Sequence, residues 1–299
     1  MRNNQPGILS DVPAHARYVL FQLPPGVQRH ALEGALRSLA GAVDGEAAVL
    51  GVGPATVSAL GAVVPGLREP QTLAGPGVSI PATPAALLLW LRGDDPGGLV
   101  HRSNALCDLA APAFVVEGIT DAFRHREGRD LTGYEDGTEN PKGDDAQRVA
   151  LMQGAPGIAG GSLLAVQKWA HDLRRFAAFP QPEQDAIIGR RISDNAEIED
   201  APESAHVKRT AQERFDPEAF VLRRSMPWAG VHGGEQGEGL VFTAFAASLD
   251  PFEAQLRAMA GVEDGVTDAL FRFTRPLGTS YFWCPPLENG RMDMRTLGL

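Results

Sequence analysis

The chain has few cysteines. Its two, Cys107 and Cys284, stand far apart and in no CxxC pair, which argues against a disulfide framework and a cysteine-based zinc site. Long apolar runs are also missing. No stretch approaches the roughly 20 apolar residues of a membrane span, and the opening MRNNQPGILSDVPAHARYVL lacks the apolar core of a secretory signal. The expectation is a cytoplasmic protein with no membrane partner. Positive charge is scarce too: 27 Lys and Arg face 37 Asp and Glu, a net charge of −10. General nucleic-acid binding needs a basic footprint, so it is set aside.

What is present is an ordinary globular composition. The 299 residues are 43% hydrophobic, with 34 Gly and 23 Pro scattered along the chain, enough for a sizeable core with many turns. ARYVLFQL, EAAVLGVG, ALLLWLRG and AFVVEGI read as strands, rich in β-branched or aromatic residues and stopped by turn formers. Between them, GVQRHALEGALRSLAG places Leu32, Leu36 and Leu39 on one helical face. DDPGGLVHRSNALCDLA starts with Asp95 as N-cap and Pro96 at the first helical position. The same order returns later. GSLLAVQKW, AFVLRRSM and GLVFTAFA read as strands, and PEQDAIIGRR as a helix. SLDPFEAQLRAMAG is a helix with Glu253 at the capping-box position and Phe252, Leu256 and Met259 on one face. Asp-Pro helix starts at Asp95 and Asp250 lie 250 − 95 = 155 residues apart, about half the chain. Asp-Pro also begins many unrelated helices. The repeat nevertheless predicts an α+β protein of two similar halves, each an antiparallel sheet with helices on one face, like a ferredoxin-like unit. The expected division is 1–130, a connecting segment 131–160, and 161–299.

LTGYEDGTENPKG, residues 131–143, falls at the join. Asp136-Gly137 and Asn140-Pro141 are turn dipeptides, so a plain loop explains it. It has neither the ligand spacing of an EF-hand nor the Lys-Ser/Thr of a phosphate loop. The seven histidines are His15, His30, His101, His125, His171, His206 and His232. None forms an HExxH pair, so a multi-histidine metal site is not signalled. A cofactor needing one axial imidazole, as haem does, is easier to supply.

Gly133-Tyr134-Glu135-Asp136-Gly137, continuing Thr138-Glu139-Asn140-Pro141, resembles the Gly-x-x-Asp-Gly signature of dye-decolourising peroxidases. GGSLLAVQKW, IIGRR, SAHVKRT, VLRRSMPWAG and TDALFRFTRPLGTSYFWCPP resemble further stretches of that family in the same order. The likeness covers most of residues 110–287 and is weaker before that. The short chain is similar to the bacterial cytoplasmic branch, class B or P. The resemblance implies a dimeric α+β barrel of two ferredoxin-like halves, a homo-oligomer, and haem b held mainly by the second half. It also implies an enzyme that uses hydrogen peroxide to oxidise phenolic or dye-like donors in one-electron steps.

The resemblance assigns roles residue by residue. His206 is the axial iron ligand, and Asp268 accepts its other ring proton. Asp136 is the distal carboxylate that moves the peroxide proton, and an acid optimum follows because it must titrate. Arg223 is the distal cation. Arg224 is its rival, and strand alternation would aim only one of them into the pocket. Ser225 stands where some members carry Asn, which leaves the division of labour between Asp136 and Arg223 open. Arg190 pairs with a haem propionate, or is a helix-terminal charge. Gly137, Thr138, Glu139 and Asn140 shape the cofactor pocket. Trp169, Trp228, Trp283, Tyr134 and Tyr281 would relay electrons or simply fill the core. A haem-handling protein that delivers haem or releases its iron would use the same pocket. A barrel binding some other small molecule is the third reading. The tail ENGRMDMRTLGL is a poor match to tails that enter a protein nanocompartment, and a free terminus is expected.

Overall fold

The computed structural model describes residues 3–299, apart from the side chains of His232 and Glu235. Eight strands carry the fold: β1 His15–Gln22, β2 Ala48–Val52, β3 Leu87–Gly93, β4 Val115–Phe123, β5 Ser162–His171, β6 Met226–His232, β7 Glu235–Ala246 and β8 Thr274–Cys284. They lie in the order β5-β8-β2-β3-β1-β4-β6-β7, and β7 pairs back onto β5, which closes a barrel of antiparallel neighbours. Among the described residues, closure leaves the barrel no long free sheet edge for another chain to pair with.

Each half has the ferredoxin-like arrangement. The first runs β2-β3-β1-β4 and the second β6-β7-β5-β8, so both read second-third-first-fourth in chain order. The seams are also equivalent. The fourth strand of each half meets the second of the other, through Ala122 opposite Trp228 and Trp283 opposite Val52. The two-fold grammar of the sequence is thus a two-fold grammar of the barrel.

Strand alternation sorts the core. Tyr18, Val49, Leu88 and Trp90 from the first half meet Leu164, Val166, Phe245 and Phe282 from the second inside the barrel. Val19, Leu50, Leu89 and Leu91 face outward under α1, Arg29–Ala42, and α2, Pro96–Ala110. This double covering is why Leu87–Arg92 is buried on both faces and reads as an unbroken apolar run. α1 presents Leu32, Leu36 and Leu39 to the sheet, the expected face. No helix among the described residues is long and apolar enough to cross a membrane, and both cysteines are free.

Four expectations change. AFVLRRSM is not one uninterrupted strand. Leu222–Arg223 pairs with β7, ladder pairing lapses at Arg224-Ser225, and β6 resumes in the same register, Arg223 opposite Ala244 and Met226 opposite Val241. Pro227 and Gly230 within β6 mask its strand character in the sequence. The segment 131–160 contains a short helix, Gly143–Ala150, that buries only Ala146 and Ala150. Asp95 caps α2 through Gly97 and Gly98 N–H at 3.0 Å each, but the helix α3, Asp250–Met259, has no such cap. There Asp250 and Glu253 turn to Arg68 at 2.7 Å each. The tail is not free: Met292, Met294 and Leu297 are buried, and Thr296 Oγ1 donates to Gly157 O at 2.8 Å.

Candidate active site

The crossovers of the two halves differ. Between β1 and β2 the chain makes α1, flat against the sheet. Between β5 and β6 it makes only short helices, Leu173–Ala177, Gln181–Ile188 and His206–Arg209. They stand away from the sheet and leave a cavity. Its floor is the outer face of β5 and β7, with Gln167, Trp169, His171, Leu240 and Phe242. Its wall is α3, with Phe252, Leu256 and Met259. His206, Asp136 and Arg223 all reach it, and the same residues line an adjoining polar cavity with Glu139 and Arg190.

His206 opens its short helix. Its Nδ1 lies 2.8 Å from Asp268 Oδ2, and its Nε2 has no partner among the described residues. The Asp268 side chain has no exposed surface. Its other oxygen accepts from Leu270 N–H at 2.8 Å, so it is an acceptor set by the backbone. Ala269 N–H donates to Ser204 O at 2.7 Å, which ties the two segments together. Gly189 ends the helix Gln181–Ile188 at φ +93°. A Cβ there would come within 3.1 Å of Val207, so glycine is what lets this helix end lie against the His206 turn.

Asp136 and Arg223 sit together, Oδ1 to Nη1 at 3.7 Å, with 23% and 17% of their side chains exposed. Arg223 Nε is buried without a partner, as is Ser225 Oγ. Buried polar atoms are normally satisfied, so such orphans mark a place for a ligand or water. Asn140 holds Arg223 in place from both sides: its Oδ1 accepts from Arg223 N–H at 2.8 Å and its Nδ2 donates to Arg223 O at 3.0 Å. Gly137 adopts φ +77°, and a Cβ there would lie 2.8 Å from Asn140 Nδ2. Arg224 points the other way and donates to Leu9 O at 2.8 Å, so alternation does decide between the two arginines. Arg190 is held by Glu139 at 2.8 Å and Glu197 at 3.2 Å. Thr138 Oγ1 accepts from Asn195 at 3.0 Å. Tyr134 is buried, and its hydroxyl donates to Asp185. Trp169, Trp228, Trp283 and Tyr281 are buried as well.

One pair escaped the sequence. His171 Nε2 lies 3.1 Å from Asp130 Oδ1, and Nδ1 lies 2.6 Å from Thr274 Oγ1. Burial pushes the Asp130 carboxyl up, but hydrogen bonds from His171 and Thr132 outweigh it and hold it below the usual carboxylate range. The pair ties the loop carrying Asp136 to the end of β5. The only available signal was a polar His at the end of an apolar strand, since its partner lies 41 residues away.

The fold and site define a class: an α+β barrel with one apolar cavity, faced by a carboxylate-bound histidine and by an Asp–Arg pair. Residues 127–289 match the C-terminal family model of the Dyp-type peroxidases, and the chain belongs to that family. A dye-decolorizing peroxidase of Mycolicibacterium paratuberculosis is 30% identical over 221 residues, 72% of this chain and 62% of that protein. One from Rhodococcus erythropolis is 29% identical over 289 residues, 94% of this chain and 79% of that protein. The match thus spans less than two thirds of the mycobacterial relative. A solved dye-decolorizing protein from V. cholerae superposes with a TM-score of 0.82 at 28% identity, covering 93% of this chain and 96% of that one. A variant of DypB from Rhodococcus jostii RHA1, solved in complex with heme, gives 0.81 at 25% identity, with 93% and 94% covered.

Proposed function

We propose that this chain is a haem b peroxidase that uses hydrogen peroxide to oxidise phenolic or dye-like donors by one-electron steps. The observation that carries this reading is the convergence of His206, backed by Asp268, and of the Asp136–Arg223 pair on one apolar cavity. The residues fit a flat, largely apolar cofactor: Trp169, Leu240, Phe242, Phe252, Leu256, Met259 and Leu270 offer hydrocarbon and ring surface. The unpartnered Nε of Arg223 and the free Nε2 of His206 supply the polar ends.

His206 would hold the iron through Nε2. Its Nδ1–H donates to Asp268, which fixes the tautomer and makes the ring a stronger donor. Arg190 would hold a propionate, which would take over from Glu139 or Glu197 as its carboxylate partner. Bound there, haem b supplies the two-electron chemistry of peroxide cleavage and holds the oxidising equivalents for the donors. Asp136, whose side chain is mostly buried, takes a proton from the near peroxide oxygen and returns it to the far one, which leaves as water. Arg223 donates N–H to the oxygen that gains charge as the bond breaks, a guanidinium being protonated at any working pH. Asn140 keeps that donor in register through the Arg223 backbone. Ser225 Oγ, buried and unpartnered, would hold the water through which Asp136 reaches the peroxide.

Rapid mixing of the haem-loaded protein with one equivalent of peroxide tests the reading. A new absorption spectrum that develops within seconds of mixing, absent in the Asp136→Ala/Arg223→Ala double variant, is the expected result. Haem that binds with a normal Soret band yet never responds to peroxide would make this a haem-handling protein instead.

A further inference from the structure

The turn that ends in Asp136 is one hydrogen-bonded unit. Asp130 N–H donates to Tyr134 O at 2.9 Å, Gly133 N–H to Asp130 O at 2.9 Å, and Asp136 N–H to Gly128 O at 3.3 Å. Arg129 braces it, with Nη1 on Gly133 O at 2.8 Å and Nη2 on Glu135 Oε1 at 3.0 Å. Asp130 joins the unit to the sheet, through His171 at the end of β5. After Asp136, Asn140 joins the chain to Arg223. Arg223 in turn pairs with Ala244 of β7, and β7 pairs with β5. Tyr134 reaches Asp185 on the helix Gln181–Ile188, which stands away from the sheet. Asp136 thus hangs between two anchors on one sheet, and the His171–Asp130 pair is the anchor on its N-terminal side.

The His171 ring has an oxygen at each nitrogen. Nε2 faces the Asp130 carboxylate, and Nδ1 faces Thr274 Oγ1 at 2.6 Å. A threonine hydroxyl has one hydrogen, and Thr274 Oγ1 lies 2.9 Å from Ala170 O, which can only accept. With that hydrogen given to Ala170 O, Oγ1 turns a lone pair to Nδ1. A neutral imidazole donates at one nitrogen and presents a bare lone pair at the other. Donation at both nitrogens satisfies every group here, and only the imidazolium does that. Charge points the same way. Burial would raise the Asp130 carboxyl, yet bonds from His171 and Thr132 hold it below the ordinary carboxylate range, so it stands as an anion. The two side chains are 7% and 15% exposed, and His171 is the one basic side chain in ion-pair contact with Asp130 among the described residues. A buried carboxylate is costly unless a cation meets it. The other charged groups that share a hollow with His171 are not bonded to the pair: Asp136 and Arg223 face each other, His206 has Asp268, and Asp172, Glu238 and four arginines lie on the outer side of the cavity wall.

We infer that His171, held as the imidazolium between Asp130 and Thr274, is a positioning residue for Asp136: the buried His171–Asp130 ion pair fixes the turn 130–136 on the sheet and so sets the Asp136 carboxylate at its working distance from Arg223. The inference rests on the proton-transfer role proposed for Asp136 and names the group that aligns it. A charged pair suits the task, because charge-assisted hydrogen bonds are shorter and roughly twice as strong as neutral ones. The ring is also held in plane. Both its nitrogens are bonded, and the Phe273 ring centre lies 5.8 Å from its own. His171 and Asp130 exchange no proton with the peroxide; they act only through where they place Asp136.

The test begins with nitrogen NMR of 15N-labelled, cofactor-free protein near neutral pH, the His171 signals being assigned by their loss in His171→Gln. Both ring nitrogens of His171 should carry hydrogen in the wild type, and one should be bare in Asp130→Asn, where the anion is gone. A wild-type ring with one bare nitrogen overturns the proposal. In the same samples the backbone amide signals of Asp136 and Gly137 should shift in Asp130→Asn, and signals that stay in place overturn it equally. In the haem-loaded protein, Asp130→Asn should slow the reaction with peroxide by roughly tenfold to 100-fold, the scale of a displacement of about an ångström. Haem affinity, read by Soret titration, should change by less than about twofold, since the pair does not contribute to ligand binding directly. Because the pair acts through Asp136, the same substitution made on Asp136→Ala should cost less than about twofold more. An equal loss on both backgrounds would mean a general structural role and overturns the proposal. His171→Gln breaks the pair from the other side, should reproduce these losses, and takes the place of Asp130→Asn if that variant does not fold. If peroxide never changes the spectrum of the haem-loaded wild type, it is the peroxidase reading that fails, and the ring-nitrogen and amide signals still decide whether the pair is charged and holds the turn.

Discussion

The two halves share a strand order and differ in one crossover. In the first half α1 lies on the sheet with Leu36 and Leu39 fully buried, and the space between sheet and helix is filled. In the second half the equivalent connection is about fifty residues of short helices and turns, and the space is a cavity lined by Trp169, Phe242 and Phe252. The same topology therefore yields a closed layer once and a site once. In the first half the helix and sheet meet through apolar side chains, while in the second the polar groups of a long connection converge on the cavity, the setting in which ligand sites form.

Substitutions that break this comparison at its largest point fall on the second half. His206→Ala removes the only side chain proposed to hold the iron. It should cost more than the ~100-fold that loss of a ligand's hydrogen-bond partner costs, with the Soret band weakened or shifted, while far-UV circular dichroism stays unchanged. Asp268→Ala should then fall within roughly 10–100-fold. An equal effect of the two would mean that the buried carboxylate, not the imidazole, organises the site. Arg223→Ala should slow the reaction with peroxide by about 100- to 1000-fold in stopped flow, with haem affinity nearly unchanged. Arg224→Ala should leave that rate unaltered, because Arg224 faces Leu9 on the other side of the strand.

Leu36→Ala sharpens the comparison from the first half. It opens a cavity in a filled layer and should cost about 2–5 kcal/mol in urea unfolding, with the peroxide reaction of the surviving folded protein unaffected. A smaller effect follows from Asp130. Its carboxyl is held below its ordinary range in the fold, so its stabilising contribution is full above the ordinary Asp value of about 3.9. That contribution is lost as the pH falls below this value toward the folded one. The urea midpoint of Asp130→Asn should lie below that of the wild type near neutral pH, and the gap should narrow in acid. The smallest pair tests the Asp-Pro repeat itself. Asp95→Ala removes a true N-cap and should cost about 1 kcal/mol. Asp250→Ala removes one exposed partner of Arg68 and should cost less than about 0.5 kcal/mol.

Much of this was legible because it is local. Leu32, Leu36 and Leu39 declare a helix face by spacing, and Asp95-Pro96 declares a helix start by chemistry. The repeat of strand and helix at half the chain length announces two halves. The joining segment was recognisable through a motif whose glycines serve the backbone: Gly137 needs a positive φ and lies against Asn140. The misreadings share a cause. Glu253 has the spacing of a capping box but meets Arg68, 185 residues away. The tail has the composition of a loose end but finds Gly157 and the core. Tertiary contacts outbid local preference in both places.

Composition, periodicity and spacing determined the elements, their order and the internal symmetry, since these depend on neighbours within a few residues. Only the tertiary structure decided which charges meet. It set Asp268 behind His206, 62 residues apart, and Asp136 beside Arg223. It turned Arg224 away and paired Asp130 with His171. Coulombic and hydrogen-bond energies fall off over a few ångströms, and a chain written in one dimension does not record those distances.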